Sequence, residues 1–179
     1  MYYMFLANGF EITEAMAPLD IMRRAGLEVK TVGVTGDEVQ SSNGVNVKAD
    51  CSLSQISFEE MEGAILPGGM PGTLNLKKNT TVIDSVRYCY DNGKLVAAIC
   101  AAPSIFGSMG LLRDRKATCF PRFEKELTGA VCTGMHTETD GNVITAKGAG
   151  CALAFGHAII SYILSKEAAD KVMSDMQCF

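Results

Sequence analysis

Cys100 is the residue of this chain whose sequence context most favours chemical reactivity. It ends an apolar segment, 96–99, that is typical of a buried strand. Ala101, Ala102 and Pro103 follow, and small residues with a proline are typical of the first turn of a helix. A cysteine at such a junction faces exposed backbone amides, which stabilise a thiolate relative to a thiol. We therefore predict that Cys100 is a nucleophile and not a structural core cysteine.

Three further groups of residues follow predicted strands, where parallel α/β sheets bind ligands. They are Glu11 with Glu14, Gly68 with Gly69, and Gly148 with Gly150. A Glu14 carboxyl buried beside a thiolate would have a raised pKa, because it loses hydration and is repelled by a like charge. When protonated, it would donate a hydrogen bond to sulfur and serve as a general acid or base. We expect the amides of Gly69 and Ala101 to form an oxyanion hole. Each group alone also has a structural explanation, so the prediction depends on their convergence near Cys100.

Composition indicates one globular domain and excludes several function classes. The chain has 179 residues, of which 47% are hydrophobic, so we place a single domain over 1–179. A net charge of -4 argues against a nucleic-acid partner. No apolar run reaches the length of a membrane span, and the segment 2–7 is too short for a signal peptide. We expect a cytoplasmic protein with no membrane partner.

Seven cysteines are scattered along the chain without a CxxC pair. This spacing suggests neither a zinc site nor a redox pair, and it does not resemble a secreted disulfide framework. We expect reduced thiols, no metal and no cofactor. Cys119 is either close to the site or part of the core.

Strand-like and helix-like segments alternate along the chain. Predicted strands are 2–7, 28–34, 63–66, the segment before Cys100, 116–120 and 142–146. Predicted helices are 13–25 with Thr13 as a cap, 79–90 capped by Asn79, one ending near Leu111, 152–164 and 167–176. Val45 and Val47 suggest a hairpin outside the main sheet. The alternation predicts an α/β fold with a doubly wound, mostly parallel sheet sandwiched by helices.

Four motifs in register resemble the ThiJ/PfpI superfamily, in the branch of the Parkinson-associated deglycase and its bacterial relatives. They are Glu14 and Pro18 with the run 20–26, Leu66–Gly69, Ala97–Ala101 and Lys147–Gly150. The resemblance implies a flavodoxin-like sandwich, a homodimer, and a cysteine that oxidises readily to a sulfinate. It implies Cys100 as nucleophile, Glu14 as the protonated partner and the Gly69 and Ala101 amides as the oxyanion site. The surrounding pocket would contain Gly68, Phe120, Pro121 and Gly148.

Two departures from the family pattern concern histidine. Many members carry a histidine before a proline near the cysteine, and here Phe120 precedes Pro121. The two histidines, His136 and His157, are predicted to lie away from the active edge of the sheet. The protease-like branch has a histidine directly after the cysteine, where this chain has Ala101. We therefore expect no Cys–His dyad, no peptidase and no glutamine amidotransferase.

Three functions remain open at this stage. The first is a glyoxalase III or deglycase type of enzyme that acts on small reactive aldehydes or glycated amines and thiols and protects against methylglyoxal and oxidative stress. The second is a redox-sensing cysteine protein or redox-regulated chaperone without substantial turnover. The third is a role related to thiazole monophosphate in the thiamine pathway, although no glycine-rich loop with a lysine supports it.

Overall fold

A central sheet organises the computed structural model, which describes residues 1–178. The strands of this part of the chain are β1 (Tyr2–Leu6), β2 (Val29–Gly33), β3 (Glu38–Gln40), β4 (Asn46–Lys48), β5 (Cys51–Ser52), β6 (Gly63–Leu66), β7 (Leu95–Ile99), β8 (Lys116–Ala117), β9 (Val131–Cys132), β10 (Thr137–Asp140) and β11 (Val143–Ala146). The α-helices are α1 (Ile12–Arg24), α2 (Gly72–Lys78), α3 (Thr80–Asp91), α4 (Pro103–Ser108), α5 (Ala152–Ile163) and α6 (Lys166–Asp175).

The main sheet has seven strands in the order β10-β11-β7-β6-β1-β2-β5. All neighbours pair in parallel except β10, which pairs antiparallel with β11. The carboxyl ends of β1, β6, β7 and β11 therefore meet at one edge. Short two-stranded sheets, β3 with β4 and β8 with β9, lie outside it.

Each face of the sheet is covered by its own apolar core. One face packs against α2, α3 and α4, through residues such as Leu76, Val86 and Phe106. The other packs against α1 and α5, through residues such as Met22 and Phe155. Helix α6 lies outside this layer and adds a smaller cluster against α1 and α5. The structure is thus the predicted flavodoxin-like α/β sandwich.

Most predicted elements are confirmed, including the hairpin at Val45 and Val47 and the Asn79 cap, whose side chain accepts from the Val82 amide. Helix α1, however, begins at Ile12, and its cap is Glu11 instead of Thr13. The Glu11 side chain accepts the Glu14 amide, although threonine is the commoner capping residue. Helix α4 ends at Ser108, before the predicted end near Leu111.

The predicted strand 116–120 is wrong beyond Ala117. Only Lys116–Ala117 is a strand, and it pairs with β9 outside the main sheet. After it, the chain turns so that the Phe120 amide donates to the Cys100 carbonyl at 2.8 Å. Strand β10 and helix α2 were not predicted, since neither segment shows a strong periodic pattern.

Gly156 sets how closely α1 approaches α5. A Cβ at Gly156 would lie 2.9 Å from Ile21 Cδ1 and 3.0 Å from Ile21 Cγ2. We expect Gly156→Ala to lower the free energy of unfolding, because overpacking costs about 1–3 kcal/mol. That exceeds the ~1 kcal/mol that alanine gains in helix propensity. In an Ile21→Ala background the same substitution should cost less. Equal costs in both backgrounds, measured by urea unfolding, would contradict this close approach.

Candidate active site

Cys100 lies in a sharp turn between β7 and α4. Its φ of 65° is in the left-handed region, which costs a non-glycine residue about 1–3 kcal/mol. The Cys100 amide donates to the Ala146 carbonyl at 2.9 Å, and its carbonyl accepts from the Phe120 amide at 2.8 Å. Both backbone groups are therefore bonded to neighbouring segments, which hold the residue in this conformation. The side chain is partly exposed.

Glu14 faces Cys100 from the first turn of α1. Its side chain is 1% exposed, which is rare for a carboxyl group. The Gly68 amide donates to Glu14 Oε2 at 2.9 Å. A proton on Glu14 is then best placed on the other oxygen. The carboxyl and the thiol are close enough to hydrogen-bond and to shift the pKa of each other.

Gly68 allows the carboxyl and the thiol to come together. A Cβ on Gly68 would lie 2.7 Å from both Cys100 Cβ and Glu14 Oε2. Any side chain there would collide with both groups of the pair. The next residue, Gly69, has a φ of 91° and approaches the backbone of Glu11 and Gly9.

Two backbone amides point at the Cys100 sulfur. The amides of Ala101 and Gly69 hydrogen-bond to the thiolate form and lower the pKa of Cys100. Among residues 1–178, neither amide has a backbone acceptor. They are therefore available to a sulfur anion or to an oxygen that develops negative charge beside it.

Burial dominates the electrostatics of the pair. Loss of hydration raises the pKa of Glu14 to about 7, with a smaller contribution from the Glu11 charge. Burial and the Glu14 charge raise the pKa of Cys100 to about 12, although the amides act in the opposite direction. The sequence predicted the effect of the amides on the thiol but not the larger effect of burial. When Glu14 holds its proton, it no longer repels a thiolate, so the two groups titrate as one coupled unit.

The predicted pocket residues lie in two places, one beside the Glu14–Cys100 pair and the other around the Phe120 ring. Gly68 contacts the pair, and Gly148 lies beneath the Phe120 ring, whose Cδ2 would be 3.2 Å from a Cβ on Gly148. Phe120 and Pro121 are exposed at the same edge of the sheet. Gly150 has open space around it. Cys119 is buried in the core on the α4 face.

The expectation for His136 is only partly right. Because β10 is antiparallel, it begins at the edge where β11 and β7 end, with Thr137 opposite Ala146. The backbone of His136 therefore lies at this edge, but the side chain is exposed and makes no hydrogen bond within residues 1–178. The other histidine, His157, lies away from it on α5, with Nε2 2.8 Å from Asp170 Oδ1. Within residues 1–178, neither histidine side chain forms a hydrogen bond with a cysteine.

Two positioning features were not predicted from the sequence. Glu11 caps α1 by accepting the Glu14 amide at 2.9 Å, which fixes the turn that carries Glu14. The amide of the buried Thr118 donates to Thr145 Oγ1 at 3.0 Å, which fixes the segment before Phe120. No sequence signal would have found the second contact, because its partners are far apart in the chain.

Other classes of site are not evident in the part of the chain described. Within residues 1–178 no helix is long and apolar enough to cross a membrane. No group of three or more His, Cys, Asp or Glu side chains in this range is arranged to hold a metal ion.

Comparisons with known proteins agree with this architecture. A model described as the DJ-1/PfpI family matches residues 2–162. Protein DJ-1 homolog B of Arabidopsis thaliana is 35% identical over 170 residues, 93% of this chain and 39% of that protein. Protein dj-1beta of Drosophila melanogaster is 32% identical over 170 residues, 93% of this chain and 91% of that protein. Oxidized Toxoplasma gondii DJ-1 superimposes with a TM-score of 0.94 at 30% identity, covering 98% of this chain and 97% of that one.

The extent of these matches differs among relatives. This chain spans only 39% and 44% of the two Arabidopsis proteins, but it spans nearly all of the fly protein. The family model covers most of the chain, and the fold is shared over nearly its whole length. On these grounds the chain belongs to the DJ-1/PfpI family.

Proposed function

We propose that this protein is a cysteine-dependent enzyme of the glyoxalase III or deglycase type. Its substrates are small reactive aldehydes such as methylglyoxal, or the early adducts they form with amines and thiols. It would thereby protect against methylglyoxal and oxidative stress. One observation carries the proposal: a partly exposed thiol faces a buried carboxyl that keeps its proton to about pH 7, with two backbone amides directed at the sulfur.

The first step is attack of Cys100 on the aldehyde carbon. The ionised carboxylate of Glu14 takes the thiol proton while the sulfur–carbon bond forms. The electron pair of the C=O bond moves to oxygen, and the amides of Gly69 and Ala101 stabilise that charge. Glu14 then returns the proton to the oxygen, which gives a neutral hemithioacetal and restores the carboxylate.

Isomerisation and hydrolysis complete the turnover. Glu14 removes the hydrogen of the former aldehyde carbon as a proton and returns it to the neighbouring carbonyl carbon. The hydroxyl proton moves to the second oxygen, so the hemithioacetal becomes a hydroxyacyl thioester. Water cleaves the thioester, releasing lactate from methylglyoxal and restoring the thiol. The net reaction adds one water and needs no external oxidant or reductant. With a glycated amine or thiol, the free amine or thiol would leave as well.

Substitution of the pair tests the enzymatic role. We expect Cys100→Ser to abolish methylglyoxal consumption, because the nucleophilic sulfur is gone. Glu14→Gln should lower kcat about 100-fold or more, because the amide cannot accept the proton. Cys51→Ser is the matched control, since Cys51 is a partly buried thiol on the edge strand β5 and should leave the rate unchanged. Full activity in Cys100→Ser would contradict the proposal.

A second function, redox sensing, is favoured by the same geometry. The Gly69 and Ala101 amides and a protonated Glu14 would bind the oxygens of a cysteine sulfinate. Two equivalents of hydrogen peroxide would oxidise the thiol to the sulfinic acid and would themselves be reduced to two waters. The Toxoplasma neighbour is described as oxidized, which supports this reading for the family. A redox sensor would oxidise at Cys100 without turning over aldehydes.

Mild peroxide treatment tests that second function. Peptide mapping should show two added oxygen atoms on Cys100 before the exposed Cys132 is modified. Glu14→Leu should lower the yield of sulfinate, because it removes the hydrogen-bond donor. Glu14→Gln keeps a donor and should restore part of the yield. Equal oxidation of Cys100 and Cys132 would contradict a redox-sensing role. Equal sulfinate yields in the wild-type, Glu14→Leu and Glu14→Gln proteins would also contradict it.

The homodimer stays a prediction from the family resemblance, and the cytoplasmic location stays a prediction from the sequence pattern. Helix α1 and the β3–β4 hairpin are the surfaces expected at a dimer interface. On the hairpin, Val45 is 50% exposed, an apolar side chain that a second copy would cover.

A further inference from the structure

Phe120 is a large apolar side chain that remains exposed at the Cys100 edge of the sheet. It is 47% exposed, and its amide is bonded to the Cys100 carbonyl at 2.8 Å. A single exposed aromatic residue is ordinary on a protein surface. The position of Phe120 is unusual because its backbone amide is hydrogen-bonded to the carbonyl of the candidate nucleophile, Cys100.

The segment that carries Phe120 is fixed on both sides. Just before it, the side-chain hydroxyl of Thr118 donates to the Met135 carbonyl at 2.8 Å, and the Thr118 amide donates to Thr145 Oγ1 at 3.0 Å. Just after it, the Phe123 amide donates to the Phe120 carbonyl at 3.1 Å. Both Thr118 and Thr145 are 1% exposed, so these bonds are shielded from water. The backbone of Phe120 is therefore held in place relative to Cys100.

Gly148 provides the surface on which the ring rests. A Cβ there would lie 3.2 Å from Phe120 Cδ2 and 3.8 Å from Cε2. The φ of Gly148 is 170°, extended backbone that any residue adopts, so its conformation does not require glycine. The absence of a side chain at this position instead leaves room for the ring.

We propose that the Phe120 ring is a specificity-determining wall of the Cys100 site, and that it selects α-oxoaldehydes carrying an aromatic or larger alkyl substituent. This inference rests on the proposed function. The aldehyde carbon would meet the sulfur and the Gly69 and Ala101 amides, while the substituent packs against the exposed ring face. Apolar contact with an aromatic surface favours a phenyl group over a methyl group, because it removes more apolar area from water.

Steady-state kinetics with phenylglyoxal and methylglyoxal test the proposal. We expect the ratio of their kcat/KM values to fall about five- to tenfold in Phe120→Ala and less in Phe120→Leu. The loss should lie mainly in KM for phenylglyoxal, since the contact forms on binding and persists in the transition state. Gly148→Ala should lower the ratio while keeping the ring, because its methyl group displaces Phe120. Tyr162→Ala is the matched control, since Tyr162 is a 40% exposed aromatic residue near the end of α5, beside the starts of β1 and β7 and away from the Cys100 edge of the sheet. An unchanged ratio in Phe120→Ala would overturn the proposal.

Alkylation of Cys100 separates this inference from the proposed function. Phenacyl bromide and bromoacetone carry the same two substituents. Each alkylates the thiol as a sulfur–carbon bond forms, the carbon–bromine bond breaks, bromide leaves and the thiol proton passes to solvent. If the wild-type protein turns over neither aldehyde, the enzymatic proposal fails. The alkylation rates of Cys100, normalised to those of free glutathione, still show whether the Phe120 ring favours the larger substituent. A normalised preference for phenacyl bromide that falls in Phe120→Ala supports the wall, and an equal preference in both proteins overturns it.

Discussion

The hydrogen bond between the Glu14 carboxyl and the Cys100 thiol is the interaction on which the rest of the site depends. A buried carboxyl group lies beside a partly buried thiol, so a charge on either one is costly. Glu14 keeps its proton to about pH 7 and has an ordinary value of 4.5 in the unfolded chain. Folding is therefore favoured by this group at low pH, and that contribution, about 3 kcal/mol, is lost as the pH rises from 4.5 to 7. The free energy of unfolding is therefore lower at neutral pH than it would be without this buried acid beside the nucleophile.

The backbone around the pair explains how this arrangement persists. Cys100 occupies a strained left-handed conformation, and hydrogen bonds to Ala146 and Phe120 hold it there. Gly68 leaves the space in which the carboxyl and the thiol meet. These contacts come from four separate segments of the chain that converge at the carboxyl edge of the sheet. The architecture therefore supplies positioning, while the chemistry needs only two side chains and two amides.

Much of this could be predicted from the sequence, for identifiable reasons. The alternation of strands and helices predicted the sandwich, and the strand, cysteine and proline order predicted the turn at Cys100. The antiparallel β10, which brings His136 to the active edge, could not be predicted because a short polar strand carries little periodic signal. The raised pKa of Cys100 was missed because burial depends on packing between distant segments. The Thr118–Thr145 contact was missed for the same reason.

Titration of Glu14 measures whether burial beside Cys100 raises the pKa of this carboxyl. The carboxyl signals of a protein labelled with 13C at glutamate side chains would be followed against pH, with Glu14 assigned by its loss in Glu14→Gln. We expect a midpoint near pH 7 for this one signal, and a shifted midpoint in Cys100→Ala because the coupled thiol is removed. A midpoint near 4.5, unchanged in Cys100→Ala, would show instead that the carboxyl ionises like an exposed glutamate and is not coupled to the thiol.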